Sequence, residues 1–390
     1  MTTLPRTLAV LHLSEPSGPS TDFAAHLGPL ADRGALEVVV PGPGRVASSF
    51  RDIAPVTELP YSALTTPREP VALARLLRRL MTEVRVFRAH IRAAQPEVVV
   101  VATTALPAVP IAARLEAVPV LLYAAEVLTG DVSGRSLPAA SAGRLLLSAN
   151  GRLASRVVAC SHTVARQFRP RVDVRTIYPP IDVTYLGGDS TAFRAAHGIG
   201  PDDRCVTVIG NITRGRGQDL VIRAIPRIRE AIPAARCVVV GSPFARPQDV
   251  AFESEVRRLA AEDGVADAVI FTGFCDRMAD AYAAADVVVN PARFPEPFGR
   301  ASCEALVAGR PVVAARVGAI PEVLRDRETA LLIPPEDPHG LAGAVVELLA
   351  DPQRAARMAS AGRSDVLDRF ASNRSGPAFR RAVEDAAGVS

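Results

Sequence analysis

Two glutamates stand eight residues apart in a stretch that contains several prolines and glycines. Glu296 falls in a loop after an apolar run, and Glu304 falls in a helix that we expect to begin near residues 298–300 and to end at Gly309. Carboxylates so placed can accept paired hydrogen bonds from vicinal hydroxyls, such as those of a sugar or a ribose. Backbone N–H groups at the start of such a helix also suit an anionic ligand. The stretch therefore indicates a site for a polyhydroxylated or anionic molecule.

A second stretch, residues 206–219, reads as a strand, a glycine-rich turn and a helix. The turn holds Arg214 and Arg216 among Gly210, Gly215 and Gly217. It is not a Walker motif, which needs a different glycine spacing and a Lys-Ser or Lys-Thr pair. The stretch is a glycine-rich turn with two arginines that lies between a strand and a helix.

Both stretches belong to a regular alternation of short apolar runs and longer alanine- and arginine-rich segments with helical spacing. The apolar runs cover residues 8–13, 36–40, 98–102, 118–123, 156–160, 206–209, 237–240, 269–272, 287–289 and 312–314. Continuous apolar strands between helices are typical of parallel sheets that are covered on both faces. Because about ten strands exceed what one doubly wound sheet usually holds, we expect two α/β domains.

The alternation lapses where paired prolines and paired glycines collect between Tyr178 and Ser190. We expect an N-terminal domain over residues 1–187 and a C-terminal domain over residues 188–365. Residues 366–390 should form a helix that packs back toward the N-terminal domain.

The composition excludes several classes of protein. The chain has 390 residues and is 48% hydrophobic, so a disordered or disulfide-stapled chain is excluded. All 45 basic residues are arginine, but a net charge of +4 is too dilute to indicate a nucleic-acid partner. Residues 1–187 hold 20 arginines and 14 acidic residues, whereas residues 188–390 hold 25 and 27. The excess of positive charge therefore lies in the N-terminal half.

The cysteines and the N-terminal residues favour a cytoplasmic protein. The five cysteines include no Cys-x-x-Cys pair, and most of them adjoin apolar runs, as expected for buried thiols in a reducing compartment. The first residues lack the basic segment and the long apolar core of a signal peptide.

Residues 73–92 form a predicted helix with six arginines and an apolar stripe. The stripe runs through Leu73, Leu76, Leu77, Leu80, Val84, Phe87 and Ile91. We expect this helix to pack on its own sheet through the stripe. Docking on an anionic membrane surface is the alternative.

The stretch that contains both glutamates, residues 290–324, closely resembles the donor-binding signature of retaining glycosyltransferases with the GT-B fold, in particular glycosyltransferase family 4. The resemblance implies two Rossmann-like doubly wound parallel-sheet domains that face a cleft, with a nucleotide-sugar held by the C-terminal domain. By position, Glu296 would meet the donor sugar and Glu304 would hold the ribose. Phe298, Gly299 and Arg300 would offer backbone contacts to the sugar.

The glycine-rich turn resembles the diphosphate-binding segment of the same family. In that segment an arginine after the first glycine and a lysine before the last glycine hold the diphosphate. Here Arg216 stands at the lysine position, and Asn211, after Gly210, stands at the arginine position. Either Asn211 donates a neutral hydrogen bond, or Arg214 supplies the missing charge. Gly215 completes the expected turn.

Weaker similarities complete the pattern. Residues 269–275 resemble a strand after which Phe274 and Cys275 would contact the base. In the N-terminal domain, Gly18 is what remains of a loop that is often richer in glycine. Many members end a strand with His-Glu, where this chain has Ala125 and Glu126. His12, at the end of the first strand, is the histidine best placed for the cleft.

These similarities imply a retaining glycosyltransferase in which Glu296 and Arg216 are the catalytic residues. No Asp-x-Asp motif occurs, so we expect no metal ion, and no cofactor besides the nucleotide-sugar, for which a UDP-sugar is favoured. The favoured acceptor is a small soluble polyol, such as an aminocyclitol antibiotic precursor. The acidic residues that could contact its amino groups are Glu15, Asp22, Glu126 and Asp131.

Two alternatives differ in class from this interpretation. A peripheral membrane enzyme would act on an envelope lipid or glycan, with the helix at residues 73–92 docked on the membrane. A non-catalytic sugar-nucleotide-binding homologue or an epimerase would share the architecture. The presence of Glu296, Arg216 and Glu304 together argues against the second alternative.

Overall fold

The chain folds into two compact units in a computed structural model that describes residues 4–15, 18–31, 35–64, 70–128, 137–168, 172–181 and 183–389. The first unit comprises residues 1–180 together with residues 372–390. The second unit comprises residues 181–371. The first unit is therefore built from two separate segments of the chain.

The first unit has a seven-stranded sheet in which every paired strand is parallel. Its strands are β1 (Thr7–Val10), β2 (Leu36–Val40), β3 (Val56–Glu58), β4 (Val98–Val101), β5 (Val120–Ala124), β6 (Arg156–Ala159) and β7 (Val174–Thr176). They lie in the order β3-β2-β1-β4-β5-β6-β7. This order reverses between β1 and β4, as in a Rossmann fold.

Helices connect the strands of the first unit. They are α1 (Gly18–Ala31), α2 (Arg45–Arg51), α3 (Pro70–Ala94), α4 (Ala108–Leu115), α5 (Leu137–Leu153) and α6 (His162–Ala165). The residues of β1, β4 and β5 are all buried, because helices cover both faces of the sheet.

The second unit repeats this plan with a six-stranded parallel sheet. Its strands are β8 (Arg204–Ile209), β9 (Ala235–Val240), β10 (Val269–Gly273), β11 (Val287–Asn290), β12 (Val312–Ala315) and β13 (Leu331–Ile333). Their order is β10-β9-β8-β11-β12-β13, so the reversal lies between β8 and β11.

The helices of the second unit complete its two layers. They are α7 (Ser190–Ala196), α8 (Gln218–Ala231), α9 (Pro247–Glu262), α10 (Met278–Ala284), α11 (Arg300–Val307), α12 (Ile320–Val323), α13 (Pro338–Ala350) and α14 (Pro352–Phe370). On one face of the sheet, Val206 and Val208 pack with Val221 and Val345 of α8 and α13. On the other face, Val238 packs in a smaller cluster. The apolar runs are continuous because both faces of each inner strand are buried.

The observed limits of the units differ from the predicted boundaries at 187/188 and 365/366. A 3-10 turn at Val183–Tyr185 packs on α10 and α11 of the second unit, which places the first limit earlier in the chain. At the other limit, α14 continues without a break to Phe370. The last helix, α15 (Ser372–Ala387), then packs on α1 within the first unit.

Helix α3 includes the whole predicted helix at residues 73–92. Phe87 and Ile91 are buried, as the apolar stripe predicts, but Leu77 is 54% exposed and Met81 is 59% exposed. The prediction that Leu77 packs on the sheet is therefore wrong. Helix α4, which packs on α3, has 8 residues against 25 in α3 and covers only part of it. Among the described residues, no helix is both long and apolar enough to cross a membrane.

Candidate functional site

The two stretches that hold the candidate site residues come together at one edge of the second sheet. The glycine-rich turn follows β8, and the loop with Glu296 follows β11. These neighbouring strands flank the point at which the strand order reverses. In open parallel sheets, ligands bind beyond the carboxyl ends of strands at such a point.

Two glycines allow the backbone segments at this edge to approach closely. Gly241, with φ +135°, passes so near Gly210 that a Cβ atom on it would lie 2.2 Å from the Gly210 carbonyl oxygen. Gly217, with φ +75°, precedes α8, and a Cβ atom on it would lie 2.3 Å from the carbonyl oxygen of Pro291. A side chain at either position would separate the turn from its neighbour.

Arg216 and Glu296 form an ion pair across this junction. The Arg216 Nη1 atom donates to Glu296 Oε2 over 2.7 Å. The Arg216 guanidinium also lies over the Phe294 ring, 4.9 Å from its centroid. Glu296 is 6% exposed, and the side chain of Arg216 is 32% exposed. Among the described residues, the other carboxylate oxygen of Glu296 has no hydrogen-bond partner.

The backbone around Glu296 is held in place by a neighbouring loop. The Ala319 N–H donates to the Glu296 carbonyl oxygen over 2.8 Å. Gly318, with φ +54°, lies so close that a Cβ atom on it would be 2.4 Å from the Glu296 nitrogen. The main chain that carries Glu296 is therefore held in place by the neighbouring loop, and the hydrogen bond to Arg216 orients the carboxylate.

Arg214 lies in the same turn but faces away from this pair. Its Nη2 atom donates to Glu255 of α9, and its guanidinium lies 4.9 Å from the centroid of the Phe252 ring. Asn211, the alternative that would donate a neutral hydrogen bond, approaches the Ser242 carbonyl oxygen with its Nδ2 atom at 3.4 Å. The structure therefore brings Arg216 to Glu296, whereas the side chain of Arg214 packs against helix α9.

Glu304 is surrounded by polar side chains, of which the sequence suggested only Arg300 as a site residue. Its Oε1 atom lies 2.6 Å from the Arg300 Nε atom, one helical turn earlier on α11. Its Oε2 atom accepts a hydrogen bond of 2.7 Å from the Tyr282 hydroxyl. Tyr185 contacts the edge of the Tyr282 ring, with 5.6 Å between the ring centroids. Burial, and then the Glu304 carboxylate, raise the pKa of both tyrosines, so both hydroxyls remain protonated donors.

The remaining predicted donor-site residues differ in how accessible they are. Phe298 is buried and packs edge-on against Phe370, so only its backbone can serve a ligand. Gly299 precedes α11 with φ +94°. Phe274 stands at the carboxyl end of β10 and is 49% exposed. Cys275 is half-buried, and burial raises the pKa of its thiol.

Arg293, which sequence analysis did not single out, links the turn to the loop. Its two Nη atoms donate to the two oxygens of Asp219 over 2.6 and 2.7 Å. Its Nη1 atom also donates to the Arg214 carbonyl oxygen over 3.0 Å, and its Nε atom lies 3.0 Å from Glu336. Burial alone would lower the pKa of Arg293, but its hydrogen bonds to Asp219 and Glu336 raise it.

The first unit has its own polar cluster where β1, β4 and β5 end. The Glu126 Oε1 atom accepts hydrogen bonds from the Thr103 hydroxyl at 2.5 Å and from the Thr104 hydroxyl and N–H at 2.9 and 2.7 Å. His12 lies near Glu126, and its pKa is lowered by burial, an effect that the Glu126 carboxylate partly opposes. Nothing in the spacing of the two threonines distinguishes them from other strand-end residues, so the sequence does not predict their contact with Glu126.

The other described acidic and glycine positions predicted for the first unit lie on or beside α1. Glu15 lies 3.0 Å from Arg45 in an exposed ion pair, and Asp22 is buried in α1. Gly18 begins α1 and is exposed. Asp131 lies outside the described residues.

Comparison with known proteins finds a family match over the part of the chain that holds this candidate site. Residues 189–365 match the family model described as "Glycosyl transferases group 1". The match includes the glycine-rich turn, the loop with Glu296 and helix α11.

Two curated relatives resemble about half of the chain. The D-inositol 3-phosphate glycosyltransferase of Mycobacteroides abscessus is 35% identical over 182 residues, which are 46% of this chain and 39% of the relative. The GDP-mannose-dependent alpha-(1-6)-phosphatidylinositol monomannoside mannosyltransferase of Mycolicibacterium smegmatis is 33% identical over 218 residues, 53% of this chain and 55% of the relative. The chain thus spans about half the length of the curated relatives it matches.

Solved structures resemble the chain over almost its whole length. HepE of Anabaena, in complex with UDP and glucose, has a TM-score of 0.82 at 20% identity and covers 97% of this chain and 99% of its own. Sucrose-phosphate synthase of Thermosynechococcus elongatus has a TM-score of 0.79 at 22% identity and covers 99% and 100%. These likenesses show the fold, and they confirm the prediction of two Rossmann-like domains of the GT-B class. Within that fold, residues 189–365 are the part of the chain that resembles the glycosyl transferases group 1 family.

Proposed function

We propose that this protein is a glycosyltransferase that moves a sugar from a nucleoside-diphosphate sugar to a hydroxyl of a polyhydroxylated acceptor. The observation that carries the proposal is the Arg216–Glu296 pair at the reversal point of the second sheet. It places a cation and a partly free carboxylate together at the edge where ligands of such sheets bind. The match of residues 189–365 to the glycosyl transferases group 1 family supports the same assignment.

The proposed donor contacts both residues of this pair, with its diphosphate at Arg216 and its sugar at Glu296. The diphosphate would contact Arg216 and the backbone N–H groups at the start of α8, which attract negative charge. The free oxygen of Glu296 would accept a hydrogen bond from a sugar hydroxyl. The exposed Phe274 would contact the base, and Glu304, held by Tyr282 and Arg300, can still accept from ribose hydroxyls.

The proposed reaction retains the configuration of the sugar and uses the leaving group as its base. The bond from the anomeric carbon to the diphosphate oxygen breaks, and the acceptor oxygen bonds to the same face of that carbon. The acceptor proton passes to the departing phosphate. Arg216 stabilises the charge that develops on the diphosphate, so the chemistry that we propose involves neither a metal ion nor a further cofactor.

The proposed acceptor is a cyclitol or a cyclitol-containing molecule. The two relatives described above are named for D-inositol 3-phosphate and for phosphatidylinositol monomannoside, and both of these molecules contain an inositol ring. This ring is a polyol without amino groups, so an aminocyclitol stays the less supported form of the proposal. Glu126, which was considered for an amino group, already accepts three hydrogen bonds at one oxygen.

A panel of nucleotides and acceptors tests the proposal. Thermal shift should first show which of UDP, GDP, ADP and dTDP stabilises the protein, with a UDP-sugar or GDP-mannose as the expected donor class. The matching sugar nucleotide is then incubated with inositol, with inositol phosphates and with vesicles that contain phosphatidylinositol, and products are detected by mass. No stabilisation by any of these nucleotides would refute the proposed function.

A further inference from the structure

Asp219 places a negative charge beside the proposed diphosphate site. It lies in the first turn of α8, the helix whose N-terminal end would meet the diphosphate. Its side chain is only 9% exposed, so water screens the carboxylate weakly. An unpaired carboxylate at this position would repel a diphosphate and weaken its binding.

Arg293 neutralises this charge with a two-pronged hydrogen bond. Its Nη atoms meet both oxygens of Asp219, at 2.6 and 2.7 Å, and its side chain is only 15% exposed. Such paired contacts between guanidinium and carboxylate are directional as well as strong. Arg293 faces the pair Asp219 and Glu336, so the cluster holds two carboxylates and one guanidinium.

Arg293 also joins the turn to the loop that carries Glu296. Its Nη1 atom holds the Arg214 carbonyl oxygen, and its backbone N–H donates to the Gly215 carbonyl oxygen over 2.8 Å. Gly215 lies against Phe294, the ring beneath Arg216. The position of Arg216 relative to Glu296 therefore depends on contacts that Arg293 makes.

We propose that Arg293 is a positioning residue for the donor, which shields the diphosphate from Asp219 and fixes the turn that carries Arg216. Arg293 acts through these neighbours and does not itself contact the donor. The inference rests on the proposed function, because the diphosphate is the group that Arg293 protects.

The test compares Arg293→Met, Asp219→Asn and the double variant in the full chain. The dissociation constants of UDP and GDP are measured by calorimetry, and the melting temperature of each variant is recorded. Arg293→Met should weaken nucleotide binding by about tenfold or more, because Asp219 is then unpaired. Asp219→Asn should bind at least as tightly as the wild type. The double variant should recover most of the affinity that Arg293→Met loses.

This recovery separates shielding from a merely structural role. If Arg293 acted only by holding the Arg214 carbonyl oxygen and Glu336, removing Asp219 as well would leave the affinity low. Damage to the fold from an unpaired Asp219 would instead appear as a lower melting temperature of Arg293→Met. Arg293→Gln, which can still donate a hydrogen bond to Asp219 but carries no charge, is the second neutral variant and takes the place of Arg293→Met if that protein does not fold. Arg293→Lys keeps the charge and should bind more tightly than either neutral variant, with kcat reduced more than KM is raised, because the forked contacts that fix the turn are lost.

The outcomes are distinct for the two proposals. If the wild type binds neither UDP nor GDP, this inference fails, and the proposed function also fails when neither ADP nor dTDP stabilises the protein. If the wild type binds but the neutral variants bind equally well, the inference alone is overturned. It is also overturned if the double variant binds as weakly as the single neutral variant.

Discussion

Arg216 and Glu296 hold each other in place. Their hydrogen bond of 2.7 Å joins a turn to a loop that is 80 residues further along the chain. The pair is half-buried, so solvent screens the attraction between its two charges less than it screens the exposed ion pairs elsewhere in the chain. Each partner therefore has a role in the position of the other as well as in the proposed chemistry.

We expect Glu296→Gln to lower the rate of sugar transfer by about 100-fold or more, because the acceptor of a donor hydroxyl and the partner of Arg216 are both altered. The rate is measured by mass detection of product under saturating donor. Glu255→Gln is the matched control. Glu255, on α9, also forms an ion pair with an arginine of the turn, Arg214, but it lies outside the proposed contacts with the donor. Equal losses in the two variants would contradict the assignment of Glu296.

The chain contains no lysine, so arginine at position 216 could reflect composition alone or a need for the forked hydrogen bonds of a guanidinium group. Replacing Arg216 with lysine distinguishes the two. We expect Arg216→Lys to lower kcat by about tenfold, because an ammonium group cannot meet Glu296 and a phosphate with parallel N–H groups. Steady-state kinetics with the donor identified by the nucleotide panel give this value. An unchanged kcat would show that arginine at this position reflects composition alone.

His12 makes the stability of the first unit depend on pH. Burial lowers its pKa, so the unfolded chain takes up a proton at a higher pH than the folded chain does. Stability should therefore fall as the pH decreases from about 6.5, the pKa of a free imidazole, through the lower pKa of folded His12. His12→Asn should reduce the loss of melting temperature between pH 7.5 and pH 5. A loss as large as in the wild type would contradict this role.

At the scale of elements, the reversal of strand order in the second sheet determines where the site lies. The turn after β8 and the loop after β11 meet because their strands are neighbours that lie far apart in sequence. Glycines at positive φ permit this meeting, and Gly217 is the clearest case. The close approach is thus a property of the two segments together and not of either one.

Replacing Gly217 with alanine should lower the free energy of unfolding by about 2–4 kcal/mol, because a Cβ atom would meet the Pro291 carbonyl oxygen at a positive φ. Gly264→Ala is the control, since Gly264 also has a positive φ but nothing lies within 4 Å of its Cβ position. It should cost about 1 kcal/mol, from the backbone conformation alone. Denaturant unfolding measures both values. Equal costs would show that the contact with Pro291 relaxes freely.

The apolar runs predicted the inner strands of both sheets but missed three others. The missed strands are β3, β7 and β13, each three residues long and each at the edge of its sheet. Short edge strands are covered less completely, so β3 (Val56–Glu58) and β7 (Val174–Thr176) carry polar residues and give no apolar run. The pattern of burial that reveals an inner strand is absent there.

The candidate site was predictable only where the chemistry is local. The turn with Arg216 and the loop with Glu296 are continuous stretches of sequence, and their resemblance to glycosyltransferase signatures gave the expected roles of both residues. The partners Asp219 and Arg293, by contrast, stand 74 residues apart, and Tyr282 meets Glu304 from another helix. Such contacts depend on which strands are neighbours, and the sequence does not state that order.

At the scale of the whole molecule, each unit has its own sheet and its own core. The candidate donor site, including Arg216, Glu296 and Glu304, lies within residues 181–371. Chains with two such units often unfold in more than one step, so a single melting temperature need not describe them.

We expect calorimetry to resolve two unfolding transitions, of which only the one for the second unit rises in temperature with nucleotide. At a ligand concentration about 100 times the dissociation constant, that unit should gain about 2.7 kcal/mol, because only its folded state binds. Hydrogen exchange in α8 and α11 assigns the transition. Equal shifts of both transitions would contradict the placement of the donor site in one unit.

The return of α15 to the first unit has a consequence for synthesis. Its Phe379 stacks on His26 with 4.6 Å between ring centroids, and its Asp385 pairs with Arg156 at 2.8 Å. The ribosome makes residues 181–371 before it makes this helix. The second unit can therefore finish folding while the nascent first unit still exposes the surface around His26. A chain cut after residue 371 would lack that cover permanently, and we expect it to need a chaperone to stay in solution.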